Sequence, residues 1–530
     1  MKIKRLWVSK YKNLEDSTFL FSSDLTTLLV GKNGLGKSNL IEILALIFKD
    51  LDLITKKEDF ENWSYNKNKF EYEINYECNG NDIDVKIKKG HFEVKSKIVN
   101  SKDDYSSLTF SEFIRDRKIK YLPKYIIGYY SGENKRIGKI IEEHETIEKN
   151  RLKNFHRKKD GEGESTNLRK LFFTENYHSQ ILLLTLALYK NDSEFSSEIE
   201  ELFNDYLGIE DIIDFEIKFN NPNWDYSKVD GRDKGMDFLI ANIGDGVANP
   251  FWNTKGKVDK LLTRLYNHQI DNSTEPIYYE NDGDEDKRKF VNEFLVFNNI
   301  KFNTFINELK ELFEHPINFF DALEATTIID IFNSISLKVV KKNVPDPIEF
   351  EQLSEGEQQL LTVLGLVLVT GKDDCLFLLD EPDTHLNPDW QRDYPKLIEK
   401  FNLNDHNSHV IIATHSPLIV QSSEESDVFL FKESEGKVVI DSEKHQIHNW
   451  RIDQVLQSEY FGFKNTRPSN LDSFMKKREE MLSKNEVTKE DIKYLQELDQ
   501  QIGSLPSGET LNDFQTMRLL NRILKENKND

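Results

Sequence analysis

The sequence predicts an α/β fold built on a parallel β-sheet, and three observations predict it. The apolar run Leu25–Val30 leads into the glycine-rich stretch Gly31-Lys-Asn-Gly-Leu-Gly-Lys-Ser38, and residues 39–48 follow with helical spacing. Two later runs, Cys375–Leu379 and His409–Thr414, consist mostly of apolar residues, as strands buried on both faces do. The chain has 530 residues, of which 38% are hydrophobic, so it can bury a sizeable core.

Four segments follow one another along the chain. We predict that residues 1–134 are β-rich and carry the glycine-rich loop, with the apolar run Tyr121–Tyr130 as a late strand. Residues 135–335 are predicted to form a large, mainly helical insertion. Residues 336–445 would complete the parallel sheet, and residues 446–530 would form a charged, helical C-terminal tail.

A glycine-rich loop between a strand and a helix is typical of a phosphate-binding site. Backbone N–H groups in such a loop face phosphate oxygens at the N-terminus of the helix. Lys37 would reach the β- and γ-phosphates, and the hydroxyl of Ser38 would ligate Mg²⁺. The other predicted nucleotide-binding residues of this loop are Asn33, Gly34, Gly36 and Asn39.

Two carboxylates end the apolar run that begins at Cys375. A buried parallel strand delivers the residues at its C-terminal end to the ligand crevice of an α/β sheet. We therefore predict that Asp380 holds Mg²⁺ and that Glu381 orients and polarises the attacking water. The alternative is a strand that ends in a solvated turn, because Asp-Glu-Pro is also ordinary loop composition.

The segment before this strand has the pattern of a second anion-binding helix start. Ser354 and Gly356 would present a hydroxyl and backbone amides to a γ-phosphate, together with Glu357. Ser354 and Glu357 also fit a capping box, and the two interpretations are compatible.

A histidine follows the apolar run His409–Thr414. His415 at the end of a buried strand could sense the γ-phosphate through a hydrogen bond. The alternative is a structural histidine. Its position one strand after the two carboxylates favours the functional interpretation.

The composition excludes several classes of protein. The net charge of −22 argues against a uniformly basic nucleic-acid binder, so any nucleic-acid surface must be a local basic patch or belong to a partner. Arg115–Lys120 and Arg151–Lys159 are the candidate patches, and a solvated charged face is the alternative for each. The apolar runs are shorter than the ~20 residues that span a bilayer. Cys78 and Cys375 are the only cysteines, so we expect a cytoplasmic protein without disulfides or a membrane segment.

The order of these motifs resembles that of the ABC-type ATPase superfamily. The chain presents the phosphate loop, then Leu353-Ser-Glu-Gly-Glu-Gln358 as a signature, then Asp380-Glu-Pro, and finally Thr414-His-Ser. Asp383–Pro388 looks like the family's D-loop. The long separation between phosphate loop and signature is similar to the SMC, RecF and overcoming-lysogenization-defect (OLD) branch. The resemblance implies an ABC-type (SMC/RecF-like) P-loop ATPase head that binds ATP and Mg²⁺.

One family motif is missing. ABC-type cassettes carry a Q-loop glutamine that contacts Mg²⁺, and this chain has no glutamine before Gln180. Tyr121–Asn134 occupies the expected place, with Glu133 or Asn134 as candidate substitutes. This departure leaves the coordination of Mg²⁺ and the rate of hydrolysis open.

Softer segments look like the PtuA ATPases of bacterial anti-phage systems, Septu and retron systems of the same layout. These are Tyr129-Tyr-Ser-Gly-Glu-Asn134, Trp450-Arg-Ile-Asp-Gln-Val-Leu456 and the short helical tail. The resemblance implies a homodimer, or a higher homo-oligomer, in which the signature of one chain closes over ATP held by the other. It also implies an HNH nuclease partner (PtuB-like), a DNA or RNA target and, in retron systems, a reverse transcriptase with its DNA.

The chain itself shows no nuclease motif. OLD-type proteins need an Asp-x-Asp pair for metal, and none follows His415. The histidine pairs His406/His409 and His445/His448 lack convergent Cys or carboxylate ligands, so we expect no metal there. A DNA-repair ATPase of RecF type is the alternative function, and a soluble energiser of transport or translation is a third.

Overall fold

The structure is a computed structural model that describes most of the chain. It describes residues 1–442 and 450–463, with isolated positions from 466 to 497. The gaps within the first range are residues 23–24, 57–69, 89, 132–135, 158–169, 193–194, 221–250, 252–253, 269–277, 280–291, 298–308, 371–372, 403–407 and 425. The chain divides into two compact units, residues 1–449 and residues 450–530.

The strands of the described residues all belong to the first unit. In chain order they are β1 (Lys2–Tyr11), β2 (Leu14–Leu20), β3 (Thr26–Gly31), β4 (Tyr72–Cys78), β5 (Asn81–Lys88), β6 (His91–Ile98), β7 (Ser106–Leu108), β8 (Tyr125–Tyr130), β9 (Leu171–Phe173), β10 (Ile209–Asn220), β11 (Tyr278–Tyr279), β12 (Asn292–Phe297), β13 (Phe332–Lys341), β14 (Ile348–Glu349), β15 (Cys375–Asp380), β16 (His409–Ala413), β17 (Asp427–Ser434) and β18 (Lys437–Asp441).

The described α-helices belong to the first unit, apart from the last one. They are α1 (Lys37–Leu53), α2 (Phe110–Asp116), α3 (Arg136–Arg157), α4 (Asn176–Tyr189), α5 (Ser196–Glu201), α6 (Gly256–His268), α7 (Pro316–Ile328), α8 (Glu355–Thr370), α9 (Pro388–Asn402), α10 (Pro417–Ser422) and, in the second unit, α11 (Ile452–Gln457). Short π-helical turns at Arg117–Tyr121 and Leu202–Leu207 and a 3₁₀ turn at Phe350–Gln352 complete the regular structure.

A seven-stranded sheet lies at the centre of the first unit, in the order β18-β17-β3-β16-β15-β8-β9. Its strands are parallel apart from β18. Every residue of β3, β15 and β16 is buried, which explains why apolar residues dominate their sequences. In the register of these strands Leu29, Ala413 and Asp380 are neighbours, so three strands end at one edge. The predicted α/β fold with a parallel sheet is confirmed.

Helix α1 lies between the parallel sheet and a six-stranded antiparallel sheet of order β2-β1-β4-β5-β6-β7. Its apolar residues are buried on several faces, because both sheets contact it. Phe48 meets Tyr76 edge to face, and the Tyr76 hydroxyl donates to the carbonyl of Tyr121 at 2.8 Å. The helix that starts at the phosphate loop is thereby fixed by a continuous core.

Helices α4, α7 and α8 pack together next to the central sheet. Gly365 of α8 faces α4, where a Cβ would lie 3.4 Å from Leu182 and Leu186. The described part of residues 135–335 holds helices α3 to α7 and also strands of a third sheet, of order β11-β12-β10-β13-β14. No described helix has both the length and the apolar character that crossing a membrane requires.

Candidate nucleotide-binding site

The glycine-rich loop joins the end of β3 to the start of α1. Gly36 precedes α1 in a left-handed conformation with φ of 103°, and no side chain caps the helix. The first N–H groups of α1 are therefore available to an anion. A Cβ at Gly36 would lie 2.8 Å from Oδ1 of Asn13, so both the conformation and the space favour glycine.

Lys37 is buried at the base of this loop. Its ammonium donates to the carbonyl of Gly31 at 2.8 Å and contacts Nε2 of His415 at 2.8 Å. Burial lowers the pKa of Lys37 to about 8, although Glu381 and Asp380 nearby favour the charged form. The site thus holds one desolvated cation next to two carboxylates.

Asp380 ends β15 and is buried. Burial raises the pKa of its carboxyl to about 6, while a hydrogen bond from Ser38 acts in the opposite direction. A hydroxyl and a carboxylate in contact are the hard oxygen donors that Mg²⁺ prefers. The pair Ser38 and Asp380 therefore fits a magnesium ion.

Glu381 and His415 lie on neighbouring strand ends. Glu381 adopts a left-handed conformation with φ of 54°, and its N–H donates to the carbonyl of Ala413 at 2.8 Å. Its Oε1 lies 3.9 Å from Nε2 of His415. Burial, together with the charge of Lys37, lowers the pKa of His415, so this imidazole is neutral and its Nε2 can accept from the lysine.

Lys37, Ser38, Glu381 and His415 line one cleft of about 790 Å³, and Asp380 is not among the described residues that line it. It is lined by Tyr11, Lys12, Asn13, Asn33, Gly34, Gly36, Lys37, Ser38, Asn39, Glu42, Tyr130, Lys139, Ile140, Glu381 and His415. Residues from the phosphate loop, from the end of β15 and from the end of β16 therefore meet, as the sequence predicts for an α/β switch point.

The turn between β1 and β2 contributes a wall that sequence reasoning missed. Asn13 donates to the carbonyl of Gly34 at 2.8 Å and accepts from Asn39 at 2.6 Å. The buried carboxylate of Glu42 accepts from Tyr11 at 2.8 Å and also from Lys12. The sequence predicts that residues 1–134 are β-rich, but nothing local in it shows that the turn at residues 12–13 folds onto the phosphate loop.

The signature residues form a capping box at the start of α8. Ser354 Oγ donates to Oε2 of Glu357 at 2.9 Å, and the Glu357 N–H donates back to Ser354 at 3.3 Å. Glu357 also pairs with Lys341. Ser354, Gly356 and Glu357 are not among the described residues that line the cleft.

The D-loop, residues 383–388, packs against the signature. A Cβ on Gly356 would lie 2.5 Å from the carbonyl oxygen of His385, which only glycine avoids. The imidazole of His385 lies 2.9 Å from the carboxylate of Glu355, and the backbone N–H of His385 donates to Oε1 of Gln359 at 3.2 Å. Signature and D-loop therefore form one packed unit.

Several other predicted residues have different surroundings or lie outside the described residues. Glu133 and Asn134, the candidate Q-loop substitutes, are outside them, as are His406, His445 and His448. His409 is a core residue that accepts from the N–H of Ile3 at 3.1 Å and contacts Thr27 at 2.9 Å. In the part of the chain that the structure describes, no group of three metal-ligating side chains occurs.

The candidate basic patches are partly neutralised. Arg115 and Lys120 both pair with Asp116, and Arg117 is buried and donates to the carbonyl of Ile54. Arg151 pairs with Glu148. The side chains at positions 157–159 lie outside the described residues.

Three features decide the fold: the strand order of the central sheet, the glycine-rich loop before α1, and the adjacent ends of β3, β15 and β16. It is that of an ABC-type P-loop ATPase. A family model described as "AAA domain, putative AbiEii toxin, Type IV TA system" matches residues 185–421, which is less than half of the chain. That span includes the signature, Asp380, Glu381 and His415.

The chain is similar to several known proteins, each at low sequence identity. The "Retron Vc95 probable ATPase" of Vibrio cholerae serotype O1 biovar El Tor is 20% identical over 458 residues, which cover 82% of this chain and 74% of that protein. The SMC head domain from Thermotoga maritima is 13% identical, with a TM-score of 0.32, over 84% of this chain and 100% of its own. The Smc head domain of Pyrococcus furiosus bound to the C-terminal domain of ScpA is 15% identical, with a TM-score of 0.31, over 83% of this chain and 96% of its own. The two sequence matches are thus to an AAA domain and to a probable ATPase.

Proposed function

We propose that the protein binds and hydrolyses ATP, closes as a dimer around it, and thereby controls a partner nuclease in bacterial anti-phage defence. One observation carries the ATPase assignment. Lys37 and Ser38 of the phosphate loop, Asp380 and Glu381 of β15, and His415 after β16 come together at one edge of the parallel sheet. Phosphoryl transfer needs mostly positioning and charge, and this edge supplies both.

Each residue takes a role that its surroundings fit. Lys37 would contact the β- and γ-phosphates, and the N–H groups at the start of α1 would bind phosphate oxygens. Ser38 and Asp380 would hold Mg²⁺, which when bound offsets the charge that develops on the phosphates. Glu381 would orient the attacking water, because it lines the cleft and is half-exposed. His415 would hydrogen-bond the γ-phosphate.

The site of one chain is incomplete in this proposal. Ser354 and Gly356 lie outside the lining of the cleft, although both belong to a helix start that suits an anion. A second chain packed head to tail would bring its signature over the first chain's ATP. ATP then favours the closed state and hydrolysis releases it, because the two states differ in affinity for the nucleotide.

The defence assignment has weaker but concordant support. The chain is similar over most of its length to an ATPase named for a retron. The PtuA-like segments suggest an HNH nuclease partner of the PtuB type, a DNA or RNA target, and a cytoplasmic location. In a retron system the partners would include a reverse transcriptase and its DNA.

Two substitutions test the ATPase assignment. Lys37→Ala should abolish nucleotide binding, measured by titration with a fluorescent ATP analogue. Glu381→Gln should bind ATP with unchanged affinity, lose turnover in a phosphate-release assay, and accumulate as a dimer in light scattering. Glu433→Gln is the matched control, because this exposed glutamate of β17 is not among the residues that line the cleft. Normal turnover by Glu381→Gln would remove Glu381 from the catalytic role.

A separate experiment tests the defence role. The neighbouring gene should encode an HNH protein that co-purifies with the chain, and both should be needed to restrict phage in a plaque assay. Lys37→Ala should remove the protection while Glu433→Gln retains it. Sensitivity to DNA damage without any effect on phage would instead indicate the RecF-type alternative.

A further inference from the structure

The side chain of Gln391, in the first turns of α9, uses its amide to join two segments. Its Nε2 donates to the carbonyl of Asp383 at 3.2 Å and to the carbonyl of Leu386 at 3.0 Å. Its Oε1 accepts from the hydroxyl of Ser416 at 2.7 Å. The donors and the acceptor of one side chain are thus all engaged outside its own helix.

The two segments are the D-loop and the residues around His415. Both carbonyls belong to the D-loop, and Ser416 directly follows His415. A second connection runs in parallel, because the Asp383 carboxyl hydrogen-bonds Thr414. The N–H of Ser416 donates to the same threonine hydroxyl at 2.9 Å. The result is a closed ring of hydrogen bonds through Asp383, Thr414, Ser416 and Gln391.

The ring lies between His415, which lines the cleft, and the signature, whose residues do not line it. On one side, His415 contacts Lys37 and lies 3.9 Å from Glu381. On the other side, the D-loop packs on the signature through the close contact of His385 with Gly356. A displacement of the signature would therefore move the D-loop carbonyls that Gln391 holds.

We propose that Gln391 is a positioning residue that couples the signature and D-loop to His415. This inference rests on the proposed function, since it assumes that His415 and Glu381 act on ATP. Gln391 does not line the cleft, and its side-chain hydrogen bonds go to the D-loop and to Ser416, so it acts through the ring. Its loss should impair the hydrolytic step and leave the binding of nucleotide to the phosphate loop intact.

Two variants of Gln391 separate the two halves of the ring. Gln391→Leu removes all three hydrogen bonds. Gln391→Glu keeps an acceptor for Ser416 but cannot donate to the D-loop carbonyls. We expect kcat to fall at least tenfold in both, with the affinity for a fluorescent ATP analogue within threefold of wild type.

Asn402→Ala is the matched control. Asn402 ends the same helix, is buried, and donates its amide to the carbonyl of Ser408 at 2.8 Å, at the opposite end of β16 from His415. It should lower thermal stability and leave kcat within twofold of wild type. A kcat for Gln391→Leu within twofold of wild type, or an equal loss in Asn402→Ala, would overturn the proposal.

A second readout distinguishes failure of this inference from failure of the proposed function. Amide hydrogen exchange should become faster at residues 383–388 and 414–419 together in Gln391→Leu, and not in Asn402→Ala. If wild type binds ATP without hydrolysing it, the proposed function is wrong and hydrogen exchange alone decides whether the ring exists. Unchanged exchange in Gln391→Leu would refute the coupling.

Discussion

The buried ammonium of Lys37 makes nucleotide binding depend on pH in a defined direction. Burial lowers the pKa of this lysine to about 8, so a rise in pH above 8 removes its charge in the free protein. A bound phosphate would stabilise the charged form. Because binding and protonation are then linked, affinity should be highest below pH 8 and decline above it.

The expected size of the pH effect on affinity follows from the lowered pKa of Lys37. Above pH 8 each pH unit costs about tenfold in affinity, or about 1.4 kcal/mol, whereas between pH 7 and 7.5 the dependence should be slight. At pH 8.5 binding should take up about 0.75 protons per nucleotide, because that fraction of the lysine is neutral beforehand. Titration with a fluorescent ATP analogue from pH 7 to 9.5 gives the first value, and calorimetry in buffers of different ionisation enthalpy gives the second.

Lys37→Arg is the control, since a guanidinium keeps its charge throughout this range. Its affinity should be lower at neutral pH but independent of pH up to 9.5. Lys170 also has its pKa lowered to about 8 by burial, but it lies outside the cleft and remains in the variant. An affinity that stays constant to pH 9.5 in wild type, or the same decline in Lys37→Arg, would refute the reasoning.

Three further substitutions test the wall of the cleft, the contact between signature and D-loop, and the core. Asn13→Ala removes the hydrogen bond to the carbonyl of Gly34 and should weaken nucleotide binding several-fold, about 1 kcal/mol in a titration; unchanged affinity would show that the turn does not support the loop. Gly356→Ala places a Cβ 2.5 Å from the carbonyl oxygen of His385 and should lower ATP turnover at least tenfold with nucleotide affinity retained, which full turnover would contradict. His409 has its pKa lowered to about 3 by burial, so its contribution to stability is complete above pH 6.5 and is lost as the pH falls towards 3. Between pH 6.5 and 5 the protonation of His409 in the unfolded chain should lower the free energy of unfolding by about 1.6 kcal/mol in urea unfolding, and His409→Gln should remove that dependence; an equally steep loss in the variant would exclude this histidine.

The central sheet and its loop were predictable because their signals are local. Strand β3, the phosphate loop and α1 are contiguous in sequence, and the burial of β15 and β16 on both faces makes each of them a mostly apolar run. The prediction was less accurate where backbone geometry overrides composition. Residues 117–121 form a π-helical turn, so the strand predicted from Tyr121 begins only at Tyr125.

The missed part of the cleft depends on contacts between distant residues. Lys12 adopts a left-handed conformation with φ of 53°, which lets the turn between β1 and β2 bring its side chains to α1. Glu42 is buried there and accepts from both Tyr11 and Lys12, yet in sequence it is only a polar position in an apolar helix. Helical periodicity identifies such a residue as an exception and cannot identify its partner.

The charge distribution bears on what the ATPase would act upon. With a net charge of −22, the chain would repel a nucleic-acid backbone except where cations cluster without counter-ions. In the described part of the two basic stretches, Arg115, Lys120 and Arg151 each pair with a neighbouring carboxylate, which reduces their attraction for phosphate. The cleft differs, because its ammonium is desolvated and its helix start is uncapped. This contrast favours a chain that binds a nucleotide itself and reaches nucleic acid through a partner, as the proposed nuclease control requires.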